Sequence, residues 1–112
     1  MERPPRLKTE IRVSAQLRRC SAAGAFAHVA KKGDPDAGAV AVKVFIGRGD
    51  EGPMARLFIQ SMTLEGEAFW REPFEGPAAE AKIDEWLAKE RRIDPDLWIV
   101  EIEDREGRPF LD

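Results

Sequence analysis

The sequence predicts an α+β fold, in which one mixed, mostly antiparallel β-sheet packs against two helices. From Ala39 to Ile46, aliphatic residues occupy every second position, which is the period of a β-strand: Val40, Val42, Val44 and Ile46. A second apolar set follows the helical spacing i, i+4, i+7, i+8: Ala79, Ile83, Trp86 and Leu87. The predicted order of elements is β-α-β-β-β-β-α-β, with the helices on one face of the sheet or on both.

The N-terminal third is predicted to form a strand, a short helix and a second strand. Apolar residues and Thr9 alternate with charged ones over Leu7–Val13, which favours a strand. Ser14 and Gly24 stand where a helix N-cap and C-cap would lie, so we expect a helix over Ala15–Ala23. The next strand is AFAHVAKK, residues 25–32. A right-handed crossover would make the two strands parallel if they share a sheet.

The segment GDPDAG, residues 33–38, is predicted to be the hairpin connection between this strand and the one over Ala39–Ile46. Pro35 has the fixed φ that suits the second position of a type I turn. Asp34 and Asp36 can accept hydrogen bonds from nearby backbone amides. Each residue of the turn therefore has a structural explanation.

The second half is predicted to continue as a β-meander and then a helix. Strands are expected over Ala55–Met62 and from Ala68, joined by the turn LEGE. Pro77 precedes the helix AAEAKIDEWLAKERR, residues 78–92, which has acidic residues early and basic residues late, as the helix dipole favours.

A last strand is predicted over LWIVEIE, residues 97–103, after Asp94-Pro95-Asp96 ends the helix. Its alternate residues Trp98, Val100 and Ile102 are expected to face the core.

Composition limits the class of protein. We expect one domain over residues 1–112, of which residues 1–6 form a flexible N-terminal arm. A hydrophobic fraction of 43% argues against disorder, and without an apolar run of about 18 residues we expect no membrane span. The N-terminus lacks the apolar stretch of a signal peptide and the chain has one cysteine, Cys20, so we expect a cytoplasmic protein.

No motif predicts a catalytic residue, a metal or a cofactor. Asp34 and Asp36 match the first two ligand positions of a calcium-binding EF-hand loop, but the match then fails. A nuclease arrangement would need Asp36 near Lys43, whereas seven residues of strand separate them by roughly 20 Å. Cys20 and the single histidine, His28, are the minimum for nucleophilic catalysis, but no third group orients the histidine.

Charge suggests where a partner could bind. Residues 1–48 contain ten Lys/Arg and four Asp/Glu, whereas residues 49–112 contain eight Lys/Arg and seventeen Asp/Glu. Two basic pairs could form a patch for phosphates: Arg18, Arg19, Lys31 and Lys32, with Lys43 as a further contact. The acidic net charge of −3 is unlike that of a general nucleic-acid binder.

Three segments resemble a known family: RLKTEIRVSAQLRR, KKGDPDAGAVAVKV and RRIDPDLWIVEIEDREGRPFL. They are similar to a small alphaproteobacterial family known as a conserved domain of unknown function. The resemblance spans Leu7 to Leu111. It implies one compact α and β domain of the bacterial cytoplasm, and it carries no activity, ligand or catalytic residue to transfer.

We therefore predict a non-enzymatic interaction module with an unknown protein partner. One form of such an assembly is a homodimer through the helix or sheet edge beside the turn at residues 33–38, where Asp34 and Asp36 would join the binding surface. The alternative is a nucleic-acid-associated protein that contacts phosphates through the basic patch.

Overall fold

The computed structural model describes residues 7–112, in which two helices lie on opposite faces of a six-stranded mixed sheet. The elements in chain order are α1 (Thr9–Ala22), β1 (Phe26–Lys31), β2 (Val40–Gly49), β3 (Gly52–Met62), β4 (Ala68–Arg71), β5 (Ala78–Ala79), α2 (Glu80–Ile93) and β6 (Trp98–Glu103). The predicted α+β class is confirmed. The predicted order is also confirmed from the first helix onward, with the two-residue strand β5 in addition.

Two predictions concern the extent of the domain. The flexible arm, residues 1–6, lies outside the described residues. The single domain over residues 1–112 stays a prediction. Within residues 7–112, no helix has the length and apolar character needed to cross a membrane.

The predicted strand over Leu7–Val13 is wrong, because α1 already begins at Thr9. Its buried residues Thr9, Val13, Gln16 and Cys20 follow the helical period over the whole element. The alternation of side chains over Leu7–Val13 is too short to distinguish a strand from the first turns of this helix. Because the segment is helical, its predicted parallel pairing with β1 is also wrong. The predicted C-cap is consistent with the structure, since Gly24 has a φ of +80° just after the helix ends.

The order of strands in the sheet is β1-β6-β2-β3-β4, with β5 also paired to β3. Only the β2–β6 pair is parallel among the pairs of described strands. Because β6 lies between β1 and β2, residues 33–38 are not a hairpin connection as predicted, but cross the end of β6. The run Trp98–Val100 is buried on both faces, which is typical of a central strand with a neighbour on each side.

The core lies in two layers, one on each face of the sheet. On one face α1 packs through Val13 and Cys20 against alternate residues of β2 and β6, which are Val40, Val42, Val44, Trp98, Val100 and Ile102. The inward orientation predicted for the residues of β6 is thus confirmed. On the other face α2 packs through Ile83 and Leu87 against Ala41, Ala55, Leu57, Ile59, Leu97 and Ile99. Helices therefore cover both faces, which was one of the two predicted arrangements.

Candidate interaction surface

The two Asp-Pro-Asp segments of the sequence lie against each other. The Asp34 amide donates to the Asp96 carbonyl at 3.0 Å, and Trp98 Nε1 donates to the Asp34 carbonyl at 2.7 Å. Gly33 and Gly38 pack so closely on this segment that a Cβ atom at either would collide with the Asp96 carbonyl oxygen. We call residues 33–38 with residues 94–98 the Asp-Pro-Asp junction; it is a packed structural element.

The same junction caps helix α1. The first four amides of a helix lack partners within it, and here no side chain caps the N-terminus. The Thr9 and Glu10 amides instead donate to the carbonyls of Asp36 at 3.2 Å and Pro35 at 2.9 Å. Thr9 Oγ1 adds a hydrogen bond to the Gly38 carbonyl at 2.8 Å. The cap comes from residues far along the chain, so no local sequence signal could have shown it.

Two of the predicted basic residues already donate hydrogen bonds to backbone carbonyls. Lys31 Nζ donates to the carbonyls of Pro95 and Leu97, each at 2.8 Å, which ties the end of β1 to the junction. Arg19 Nη2 donates to the Phe110 carbonyl at 2.7 Å. Their cationic groups are therefore engaged in holding the fold together.

The other predicted binding residues lie apart on the surface. Arg18 is exposed on α1, about 13 Å along the helix axis from Thr9, whereas Lys32 is exposed beside the junction at the opposite end. Asp34 Oδ2 accepts from the Ala37 amide at 2.8 Å, and Asp36 lies 3.7 Å from Lys8 Nζ. The structure thus brings Lys31, Lys32 and the aspartates together but separates them from Arg18 and Arg19. A binding role for these six residues stays a prediction.

Lys43 is a buried lysine on the α2 face, with a side chain only 8% exposed. Its Nζ lies 2.7 Å from Asp84, 3.3 Å from Glu80 and 3.7 Å from Glu101. Burial by itself lowers the pKa of Lys43, but the hydrogen bond to Asp84 and the negative charges of the three carboxylates outweigh burial and raise the pKa. A protonated amine held by three carboxylates cannot act as a nucleophile and is not exposed to phosphates.

The residues considered for nucleophilic catalysis are also apart. Cys20 is buried on the α1 face, where burial raises the pKa of its thiol. His28 lies on the α2 face, where Nε2 is 3.7 Å from Glu101, beside a cavity of about 220 Å³ that Lys43 also lines. The sheet therefore separates the thiol from the imidazole.

Strand β4 forms one outer edge of the sheet, opposite the edge formed by β1. It is antiparallel to β3, with Ser61 opposite Phe69 and Gln60 opposite Trp70. The Thr63 amide donates to the Glu67 carbonyl at 2.8 Å. Because hydrogen-bonded pairs alternate along antiparallel strands, residues 67, 69 and 71 direct their backbone groups to β3, whereas Ala68 and Trp70 direct theirs outward. We call the side of residues 68–71 that faces away from β3 the β4 edge.

Apolar side chains cluster around the β4 edge. Phe69 is 44% exposed and Met62 51% exposed, and Leu64 at the tip of the β3–β4 turn is fully exposed. On the α1 face the half-buried Trp70 lines a cavity of about 400 Å³. Sequence analysis predicted the short strand from Ala68.

Polar groups close one end of this cavity. Arg12 donates to both carboxylate oxygens of Asp112, at 2.7 and 3.0 Å, and to Gln60 Oε1 at 3.2 Å. The hydrogen bond from Arg12 lowers the pKa of Asp112. The Arg12–Asp112 pair places the C-terminal residue at one wall of the cavity, beside Trp70.

The opposite edge of the sheet is less suited to pairing. Strand β1 has a register shift between Val29 and Lys31, and such bulges commonly protect edges from other strands. At β4 the paired residues run without a register shift. The β4 edge is therefore the better candidate for binding.

Comparison with known proteins gives a family without an assigned role. A family model described as "Protein of unknown function (DUF1491)" matches residues 7–112. A crystal structure of a DUF1491 family protein from Caulobacter crescentus CB15 is 48% identical, with 95% of each chain covered and a TM-score of 0.79. An NMR structure from the same organism is 47% identical and covers 96% of this chain and 94% of that one, with a TM-score of 0.81.

A more distant match is the solution structure of protein Atu0922 from A. tumefaciens. It is 36% identical, covers 96% of this chain and 93% of that one, and has a TM-score of 0.72. No curated protein matches the chain. The predicted resemblance to an alphaproteobacterial family is thus confirmed.

Proposed function

The chain belongs to the DUF1491 family of proteins of unknown function, and we propose that it is a non-enzymatic protein-interaction module that binds through the β4 edge. The observation that carries this proposal is the outward backbone of Ala68 and Trp70 beside exposed apolar side chains. An open edge presents a row of donors and acceptors that an added strand can pair with. A partner in extended conformation would gain main-chain hydrogen bonds there, and side-chain contacts with Trp70 would supply specificity.

The non-enzymatic character rests on how the reactive side chains are placed. Lys43 is charged and held by carboxylates, and Cys20 is buried away from His28. Covalent catalysis requires a nucleophile that is activated by an oriented base, and these three side chains do not form such a pair. In the described residues no group of His, Cys, Asp and Glu side chains is arranged to hold a metal ion.

We also propose a cytoplasmic location. Cys20 is a buried free thiol, and domains of oxidising compartments more often use disulfides. Fractionation of cells that express the tagged chain tests this location.

The variant Ala68→Pro tests the β4 edge. Proline removes an outward N–H and leaves the β3–β4 hydrogen bonds of the neighbouring residues in place, so the fold should persist while an added strand loses a hydrogen bond and meets the ring. We expect proteins retained on the immobilised chain from an alphaproteobacterial extract to fall at least tenfold with Ala68→Pro. The matched control Ala68→Val keeps the N–H and should retain them.

Two results would contradict the proposal. One is equal retention of every partner by Ala68→Pro and Ala68→Val, with circular dichroism showing both to be folded. The other is loss of all partners on nuclease treatment, together with loss in the variant Arg18→Glu/Lys32→Glu. That second result would favour the nucleic-acid alternative, which has less support because Lys31 and Arg19 already bind backbone carbonyls.

A further inference from the structure

We propose that residues 1–6, MERPPR, bind in the cavity beside Trp70 and limit access to the β4 edge until a partner displaces them. These residues, the N-terminal arm, lie outside the described ones. Their place is inferred from the position of the residue that follows them, from their length and from their chemistry. The effect on partner binding rests on the proposed function, whereas the position of the arm can be tested without it.

The residue that follows the arm lies at the cavity itself. Leu7 lines this space of about 400 Å³ together with Ala68 and Trp70 of β4. Its apolar side chain is 63% exposed in the described part of the chain. An arm that continues from Leu7 is tethered at the cavity, so its binding there is intramolecular and has a high effective concentration.

The arm is long enough to cover the cavity. Six residues in polyproline II conformation span roughly 19 Å, at about 3.1 Å per residue. The four residues of β4 span roughly 13 Å as a strand. From Leu7 the arm therefore has the length to cross the cavity and extend beside β4 to the β3–β4 turn.

The two prolines of the arm suit a cavity with an aromatic wall. Pro4 and Pro5 favour the polyproline II conformation, which loses little entropy on binding and docks against aromatic side chains in grooves. Trp70 is the half-buried aromatic residue of this cavity. Because proline has no N–H, neither residue can donate to the outward carbonyls of β4. The prolines would thus occupy the cavity by side-chain packing and would not extend the sheet.

The net charges of the two segments are complementary. The arm contains Arg3 and Arg6 against the single acidic residue Glu2. Residues 62–67, which form the end of β3 and the turn before β4, contain two glutamates and no lysine or arginine. The attraction acts between the summed charges of the two segments and needs no unpaired group. It favours an arm that runs toward this turn.

The solvent exposure of Trp70 tests the position of the arm. A soluble gadolinium chelate broadens the NMR signals of exposed protons, and it needs no partner protein. We expect it to broaden the Trp70 indole signals at least threefold more in a chain without residues 2–6 than in the full-length chain. Trp86, which packs on the α2 face, should be broadened equally in both. Equal broadening of Trp70 in the two chains, each folded by circular dichroism, would overturn the proposal.

Two full-length variants test the part played by the prolines. Pro4→Gly/Pro5→Gly keeps the length and charge of the arm but removes its preference for polyproline II, so the broadening of Trp70 should rise at least twofold. The matched control Glu2→Gln keeps both prolines and both arginines, and Trp70 should stay as shielded as in the native chain. A proline variant indistinguishable from this control would refute the packing of the arm in the cavity.

Capture from an alphaproteobacterial extract then measures the effect on partner binding. Removal of residues 2–6 should raise the amount retained at least threefold, and Ala68→Pro should abolish this gain. A shielded Trp70 with retention that Ala68→Pro does not change would support the position of the arm and reject the β4 edge as the binding site. An unshielded Trp70 with retention that Ala68→Pro lowers would reject the arm and support the proposed function.

Discussion

Gly33→Ala is expected to destabilise the protein by about 3 kcal/mol, at the upper end of the usual cost of overpacking. A Cβ atom at Gly33 would collide with the Asp96 carbonyl and lie 2.7 Å from Trp98 Cδ1. The obstacle is backbone, so it cannot turn aside as a flexible side chain could. Relief of this collision would separate the two halves of the Asp-Pro-Asp junction and weaken the hydrogen bonds that the Asp34 amide and Trp98 Nε1 donate.

Urea unfolding followed by tryptophan fluorescence measures this effect. Gly49→Ala is the matched control, because its Cβ atom would meet only the side chain of Met54, at 3.0 Å from Cγ. We expect the control to change the free energy of unfolding by about 0.5 kcal/mol or less. Similar losses in the two variants would show that the junction is not closely packed.

Lys43→Met is expected to lower the free energy of unfolding by about 3 kcal/mol, near the lower end of the range for breaking a buried ion pair. Methionine keeps much of the buried apolar stem but leaves Glu80, Asp84 and Glu101 close together without a cation. These carboxylates keep partial access to water, which limits the loss. Lys89→Met is the control, since its exposed pair with Glu85 at 3.8 Å should contribute about 0.5 kcal/mol or less.

The Lys43 contribution should also depend on pH in the alkaline range. The folded-state pKa of Lys43 is raised above its ordinary value of 10.5, so folding favours the protonated amine. The stabilisation is therefore complete below about pH 10.5 and is lost as the pH rises through the folded-state pKa. Unfolding of the native chain and Lys43→Met should thus differ most at neutral pH and converge in strong alkali. A constant difference would contradict this assignment.

Local patterns in the sequence were sufficient for the elements whose large aliphatic side chains follow a single period. The alternation at Val40, Val42 and Val44 predicted β2 and its α1 face, and the spacing of Ile83 and Leu87 predicted α2. In both cases the large aliphatic side chains recur at the period of the element itself, so one segment carries enough information.

Tertiary structure decided the features that depend on contacts between distant segments. The start of α1 is capped by the carbonyls of Pro35 and Asp36, so no local sequence signal marks its N-terminus. The first residues of the helix also alternate between apolar and charged side chains, as residues of a strand do. The insertion of β6 between β1 and β2 turned an expected hairpin into a crossing, because residues 33–38 bind Asp96 and Trp98 across the end of β6. The outward backbone of β4 likewise depends on its pairing with β3, since a strand's own sequence does not show which of its backbone groups a neighbour will occupy.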